Sequence, residues 1–199
     1  METVEHWCSL AREKLGSLGA IIETPRVVDR ESADDPEYAR PVDEADWVYL
    51  GGGYAQVALP ILQGTKVMDA LLHAKQRGAL ISGASAGAMM MGAQAIVITP
   101  ELLEDIGKYW ESGAPPLIAG LNWLPQTIIA PHFDYPWFSR KWLEQGFLPD
   151  EFTLIGIDEC TTLARNANGD SEVSGFGSVT LYRQGRQIAR YAAGETFVL

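Results

Sequence analysis

Two cysteines and three histidines are all that the 199 residues hold of the side chains that most often build zinc sites or disulfide frameworks. Cys8 and Cys160 stand far apart and have no paired-thiol spacing. That excludes a disulfide-stapled fold as the default, makes a structural zinc site a poor expectation, and fits a reducing compartment. Positive charge is also scarce: 15 Lys and Arg against 26 Asp and Glu leave a net charge of -11. Such a surface repels phosphate backbones, so nucleic acid is not an expected partner. Long apolar runs are missing. The stretch from Ala84 to Val97 is broken by Ser85, Gly87, Gly92 and Gln94, which leaves it too short and too polar to cross a membrane. The first residues, Met-Glu-Thr-Val-Glu-His-Trp, have neither the basic nor the apolar region of a secretory signal. These absences lead us to expect a cytoplasmic chain that needs no metal or cofactor and has no membrane or nucleic-acid partner.

What is present reads as an ordinary globular protein, 47% hydrophobic and 21% charged. Its length suits one domain spanning residues 1–199. Val4 to Leu15 has helical spacing, with Thr3 as a cap and Gly16 and Gly19 beyond its end. Ala20-Ile21-Ile22 reads as a short strand and Arg30 to Arg40 as a surface loop or short helix. Trp47 to Leu50, Ala79 to Ser82, Thr127 to Ala130 and Thr153 to Ile157 read as buried strands. Helices are expected over 55–77, in two pieces around Pro60 and Gly64, from Ala86 onward, and over 138–147. Pro100 to Pro116 reads as a polar connection. From Thr161 the pattern changes to short strands joined by Asn168-Gly169 and Gln184-Gly185 turns. Alternation of buried strands with helices implies an α/β sheet, largely parallel at its centre and antiparallel towards the C-terminus.

The sharpest motif is Gly83-Ala84-Ser85-Ala86-Gly87, a G-x-S-x-G pattern between an apolar strand and a helix. A tight strand-to-helix turn strains its central residue and tolerates only small neighbours, and all four neighbours here are Gly or Ala. Such a turn would expose the Ser85 hydroxyl at the C-terminal edge of the sheet, in front of a helix N-terminus that favours developing negative charge. Gly51-Gly52-Gly53 follows a strand to the same edge. Backbone N–H groups of Gly52, Gly53 and Ala86 are the candidates for an oxyanion hole. Neither a G-x-G-x-x-G nor a Gly-Lys-Ser/Thr phosphate loop is present.

A serine nucleophile needs a base to take its proton. His132, in Pro131-His132-Phe133-Asp134, follows a strand and so reaches the same edge. His6 and His73 fall within helices. By elimination His132 is the base, and activity is expected to rise as its imidazole loses a proton. For the carboxylate that orients it, Glu101 is the first choice, with Glu104 and Asp105 nearby, Asp134 and Asp158 as alternatives, and Glu159 beside the last of these. A carboxylate-bearing substrate would need a local cation; Arg140 with Lys141, and Arg165, are available.

Five segments in order resemble the dipeptidase E and cyanophycinase family of serine peptidases: Asp46-Trp-Val-Tyr-Leu-Gly-Gly-Gly, Arg77-Gly-Ala-Leu-Ile-Ser-Gly-Ala-Ser-Ala-Gly-Ala, Gly120-Leu-Asn-Trp-Leu-Pro, Pro131-His-Phe and Leu154-Ile-Gly-Ile-Asp-Glu. The resemblance runs from about Leu18 to the C-terminus. It implies a three-layer, flavodoxin-like sandwich similar to class I glutamine amidotransferases, with serine where those enzymes carry cysteine. It implies Ser85 as nucleophile, His132 as base, an oxyanion donor from the glycine run, an acid a little after the elbow helix, where Glu101 falls, and no metal. The family cleaves peptide bonds next to aspartate, in short peptides or in a β-linked aspartyl polymer. The family's usual first strand and loop are expected to be missing here.

Two other classes compete. An α/β-hydrolase esterase shares the elbow, but its histidine lies late in the chain, whereas about a third of this chain follows His132. A binding protein that lost catalysis would not react at Ser85 with a fluorophosphonate. A small peptide is the expected partner, and a homodimer is left open.

Overall fold

In the computed structural model, residues 4–98, 116–135, 143 and 148–199 are described. In chain order the elements are α1 (Val4–Gly16), α2 (Arg30–Ala33), α3 (Pro36–Glu44), β1 (Trp47–Leu50), α4 (Ala55–Leu62), α5 (Lys66–Arg77), β2 (Leu80–Gly83), α6 (Ala86–Met89) and β3 (Gly92–Ile96). There follow β4 (Leu117–Ala119), β5 (Leu124–Pro131), β6 (Thr153–Ile157), β7 (Thr161–Arg165), β8 (Asp170–Gly175), β9 (Ser178–Arg183), β10 (Arg186–Ala192) and β11 (Thr196–Val198). The chain divides into two compact units, Met1–Asp46 with Ile61–Ala79, and Trp47–Pro60 with Leu80–Leu199.

The first unit is helical. Asp29 caps α2, accepting the Ser32 N–H while the Ser32 hydroxyl accepts from the Asp29 N–H. Asp35 caps α3, with Pro36 next to it at the first helical position, where a missing N–H costs nothing. Ala39 and Val42 of α3 and Val67, Ala70, Leu71 and Ala74 of α5 are buried, at the spacing that forms one apolar stripe on each helix. Thr65 caps α5 and Gly78 ends it in a left-handed conformation. The segment read as a loop or short helix, 30–40, is two short helices. The strand expected at Ala20–Ile22 does not form: the segment is irregular and Ile21 is 94% exposed. Three apolar residues make a strand only when a neighbouring strand pairs with them.

The second unit carries the sheets. β1 and β2 form a parallel pair, Trp47 opposite Leu80 through Leu50 opposite Gly83. A six-stranded sheet has the order β10-β9-β6-β5-β3-β4. Its centre, β3-β5-β6, is parallel, and its flanking strands β4, β9 and β10 are antiparallel. A third sheet, β11-β8-β7, is antiparallel throughout. The α/β class, the parallel centre and the antiparallel C-terminal strands are as the sequence implied.

Successive residues of β6 point to opposite faces, so Leu154 joins one core with Ile96, Ile128, Phe133 and Leu143, and Ile155 joins another with Val173, Val179 and Phe197. Both faces of β6 are therefore covered, which is why its sequence is continuously apolar. Each such fully buried Leu or Ile contributes about 2 kcal/mol from burial alone. One helix expectation needs correcting. The helix from Ala86 lasts four residues and gives way to β3 at Gly92. Alanine and methionine favour helix locally, but residues 92–96 are drawn between β4 and β5 as a strand. Among the described residues, no helix is long and apolar enough to cross a membrane.

Candidate active site

β2 ends at Gly83, and the next residues make a turn tight enough to leave Ser85 at φ 52° and ψ -120°. An L-residue avoids this region because its Cβ crowds the backbone, and strain of this kind persists only where the surroundings impose it. Here they do. The Ala84 N–H donates to the Leu50 carbonyl of β1 at 3.1 Å, and the Gly87 N–H donates back to Ala84 at 2.9 Å. A Cβ on Gly87 would lie 2.1 Å from the Leu50 carbonyl oxygen, so only glycine lets the elbow close against the end of β1. Gly87→Ala is accordingly expected to destabilise the fold by about 3 kcal/mol or more, the upper range of overpacking against unyielding backbone. A thermal melt within a degree or two of wild type would contradict this packing.

Relief of the strain at Ser85 gives a second expectation. Ser85→Gly should be more stable than Ser85→Ala by about 1 kcal/mol, because glycine accepts positive φ without penalty. Equal denaturant midpoints for the two variants would mean that the elbow stores no strain.

Serine immediately before a helix usually spends its hydroxyl capping the first turn. Ser85 makes no such bond. Its Oγ lies instead 3.1 Å from Nε2 of His132. Gly52 is also near: an added Cβ there would be 3.4 Å from the Ser85 Cβ and 3.8 Å from its Oγ. The second glycine of the run therefore lies close to the Ser85 side chain, and Gly53 follows at φ 139°. Ala86 opens α6 directly after the serine and is buried.

His132 is the first residue past β5 and has φ 58°. The Tyr135 N–H donates to the His132 carbonyl at 3.1 Å, closing a turn. Phe133 anchors that turn: its ring is buried against Gly156 of β6, where a Cβ would come within 2.4 Å of the ring. The imidazole Nδ1 lies 2.5 Å from Oε1 of Glu159, so hydroxyl, imidazole and carboxylate form one hydrogen-bonded chain. Side-chain exposures of 34% for His132 and 42% for Glu159 leave this chain open to a substrate.

Glu159 entered the sequence reading only as the neighbour of Asp158. The register of the two parallel strands by itself favours Asp158, so the turn at His132 has to account for the contact. Pro131 lies opposite Ile157, so His132 and Asp158 are the first residues beyond each strand. Asp158 turns inward, is 7% exposed, accepts the Ser178 N–H at 3.0 Å and faces Arg190 at 3.8 Å. Alternation then carries the next side chain, Glu159, to the other side. Paired residues of a parallel ladder face the same side, so register alone would have pointed to Asp158; His132, at φ 58°, leaves the strand geometry and meets Glu159 instead. Asp134, the other alternative, touches Glu159 rather than the imidazole: its Oδ1 accepts the Glu159 N–H at 2.7 Å. Glu101, the first choice, lies outside the described residues, as do Glu104, Asp105, Arg140 and Lys141. Arg165 ends β7 at the opposite end from Glu159, about 13 Å along the strand, and its Nε faces the Gly169 carbonyl at 3.5 Å.

Comparison with known proteins bears on this constellation. The family model described as Peptidase family S51 matches residues 1–170. A cyanophycinase from Trichormus variabilis (strain ATCC 29413 / PCC 7937) is 27% identical over 161 residues, 80% of this chain and 52% of its own. A cyanophycinase from Geminocystis herdmanii (strain PCC 6308) is 28% identical over 159 residues, 78% of this chain and 56% of its own. The chain thus spans about half the length of the curated relatives it matches. The crystal structure of a peptidase from an acI-B1 Actinobacterium is similar with a TM-score of 0.77 and 25% identity, covering 98% of this chain and 76% of that one.

Proposed function

The chain belongs to peptidase family S51, and from that membership and the geometry of its site we propose that it is a serine peptidase acting on short peptides next to aspartate. The observation that carries the proposal is the continuous chain from Ser85 Oγ to His132 Nε2 at 3.1 Å and from His132 Nδ1 to Glu159 at 2.5 Å. Each group has a defined task in acyl transfer. Ser85 Oγ attacks the scissile carbonyl carbon while its proton passes to Nε2. The carbonyl π electrons move to oxygen, and the N–H groups of Gly52, Gly53 and Ala86 are the candidate donors to that charge. Glu159 holds the Nδ1–H and stabilises the imidazolium. The imidazolium then gives its proton to the departing amine, the C–N bond breaks, and a water deprotonated by the same imidazole releases the acyl group. No step calls for a metal or cofactor, and a cytoplasmic enzyme working on small peptides suits this chemistry.

The aspartate preference rests on the resemblance set out for the sequence and on the relatives named cyanophycinase. With a net charge of -11 the overall field does not attract an acidic substrate, so a local cation must hold it. Arg140 is the candidate close to His132 in sequence; Arg165 stands at the far end of β7. The test compares hydrolysis of matched peptides carrying Asp, Asn or Ala beside the scissile bond. Wild type should favour Asp, and Arg140→Ala should erase the preference. Equal rates on Asp and Asn peptides would remove the specificity claim. A preference that survives Arg140→Ala would move the carboxylate site elsewhere.

A further inference from the structure

Asp134 occupies a place in the sheet that a backbone carbonyl would normally fill. With Pro131 opposite Ile157, an unbroken parallel ladder would run on from residue 132 to the carbonyl of residue 157 and from residue 159 back to the carbonyl of residue 132. The Phe133 N–H, one residue further along, donates to the Ile157 carbonyl at 3.0 Å, and the His132 carbonyl accepts from the Tyr135 N–H. The bond from residue 159 is not made to backbone. The chain has already turned at His132, with its φ of 58°, and the Glu159 N–H finds the Asp134 carboxylate instead, Oδ1 at 2.7 Å. The side chain thus extends the β5–β6 ladder by one rung past the end of both strands. That rung joins the turn carrying the imidazole to the residue carrying its carboxylate partner.

Resting on the serine-hydrolase reading, we propose that Asp134 is a positioning residue that braces Glu159 against His132. The rest of the attachment shows what the brace adds. Phe133 packs on Gly156 and ties the turn to β6, but upstream of Glu159. The Thr161 hydroxyl donates to the Glu159 carbonyl at 3.0 Å and ties Glu159 to the start of β7, not to the histidine turn. Asp158 looks inward to Ser178. The Asp134 bond joins the 132–135 turn directly to the backbone of Glu159. It depends on an acceptor oxygen, not on charge, so an amide of the same shape preserves it.

The test is substrate-independent: the rate at which a fluorophosphonate labels Ser85 in wild type, Asp134→Asn and Asp134→Ala. The asparagine variant keeps an acceptor oxygen and should label within about threefold of wild type. The alanine variant should label about tenfold slower or more, since small misplacements of a catalytic group cost one to two orders of magnitude. Its final labelling stoichiometry should be unchanged, because every molecule still folds and carries Ser85. A drop in stoichiometry at an unaltered rate would assign Asp134 to folding alone and overturn the brace. So would an alanine variant as fast as wild type, or an asparagine variant as slow as alanine. Amide hydrogen exchange in the unmodified chain gives a second reading: the Glu159 N–H should be protected although its side chain is half-exposed, and exchange at the open-chain rate overturns the brace. A wild-type chain that fails to label at all, with that amide protected, overturns the hydrolase reading instead.

Discussion

Ser85→Ala should remove peptide hydrolysis almost entirely, by about 10⁴-fold or more, while the chain stays folded. Loss of a triad nucleophile removes the covalent route itself, and what survives is the residual rate from binding and oxyanion stabilisation. The fold should be indifferent, because the Ser85 hydroxyl caps no helix, and a methyl in its place relieves no crowding and leaves no buried polar atom unpaired. The measurement is kcat/KM on a cleaved peptide together with a thermal melt. Activity within about tenfold of wild type, with the melt unchanged, would mean that Ser85 is not the nucleophile. His132→Ala should fall to the same floor, and the double variant no lower, because members of one catalytic unit are not additive.

The second large effect is expected at Glu159. Glu159→Gln keeps the size and the hydrogen-bonding reach of the side chain, but loses the charge that stabilises the imidazolium, and its amide NH2 can donate to Nδ1 and hold the wrong tautomer. A carboxylate-to-amide change at the corresponding role of a serine triad costs up to about 10⁴-fold in kcat, so a loss of about 10²-fold or more is expected here. The assignment comes from the 2.5 Å contact with Nδ1. Glu101→Gln and Asp158→Asn are the comparisons that give the result meaning. If Glu159→Gln stayed near wild type and Glu101→Gln were inactive, the acid would be Glu101. Asp134→Asn addresses the same question from another direction: an inactive asparagine variant would make Asp134 itself the orienting carboxylate.

How far the sequence disclosed the site follows from which features are local. Gly83 to Gly87 specifies a turn through neighbouring residues alone, because the small side chains are demanded by a closure only a few residues across. The elbow and the glycine run after Leu50 were therefore readable, and the structure brings Gly52 against Ser85. His132 was readable because few histidines compete and one of them follows a strand. Glu159 was not, because the register that sets Pro131 opposite Ile157 favours Asp158, and only the left-handed turn at His132 brings the imidazole to Glu159. The same limit explains β3. Gly-Ala-Gln-Ala-Ile has no strong local preference for a strand, and its place between β4 and β5 decides its conformation. In the opposite sense, Ala20-Ile21-Ile22 has the composition of a strand but pairs with no strand among the described residues. Thr153–Ile157 matched residue for residue because burial on both faces leaves a continuous apolar run of strand length. Asp134, finally, carries no signal of its role: an aspartate two residues after a histidine reads as a turn residue until the ladder it extends is visible.

The most direct test of the central claim is to locate the covalent adduct. The wild-type chain is treated with a fluorophosphonate, digested, and mapped by mass spectrometry, with His132→Ala treated in parallel. A neighbouring imidazole at 3.1 Å makes one serine hydroxyl nucleophilic among all the others. The expected result is a single modification on the peptide containing Gly83 to Gly87, assigned to Ser85 and lost in His132→Ala. No adduct, an adduct on another residue, or undiminished labelling without His132 would contradict it.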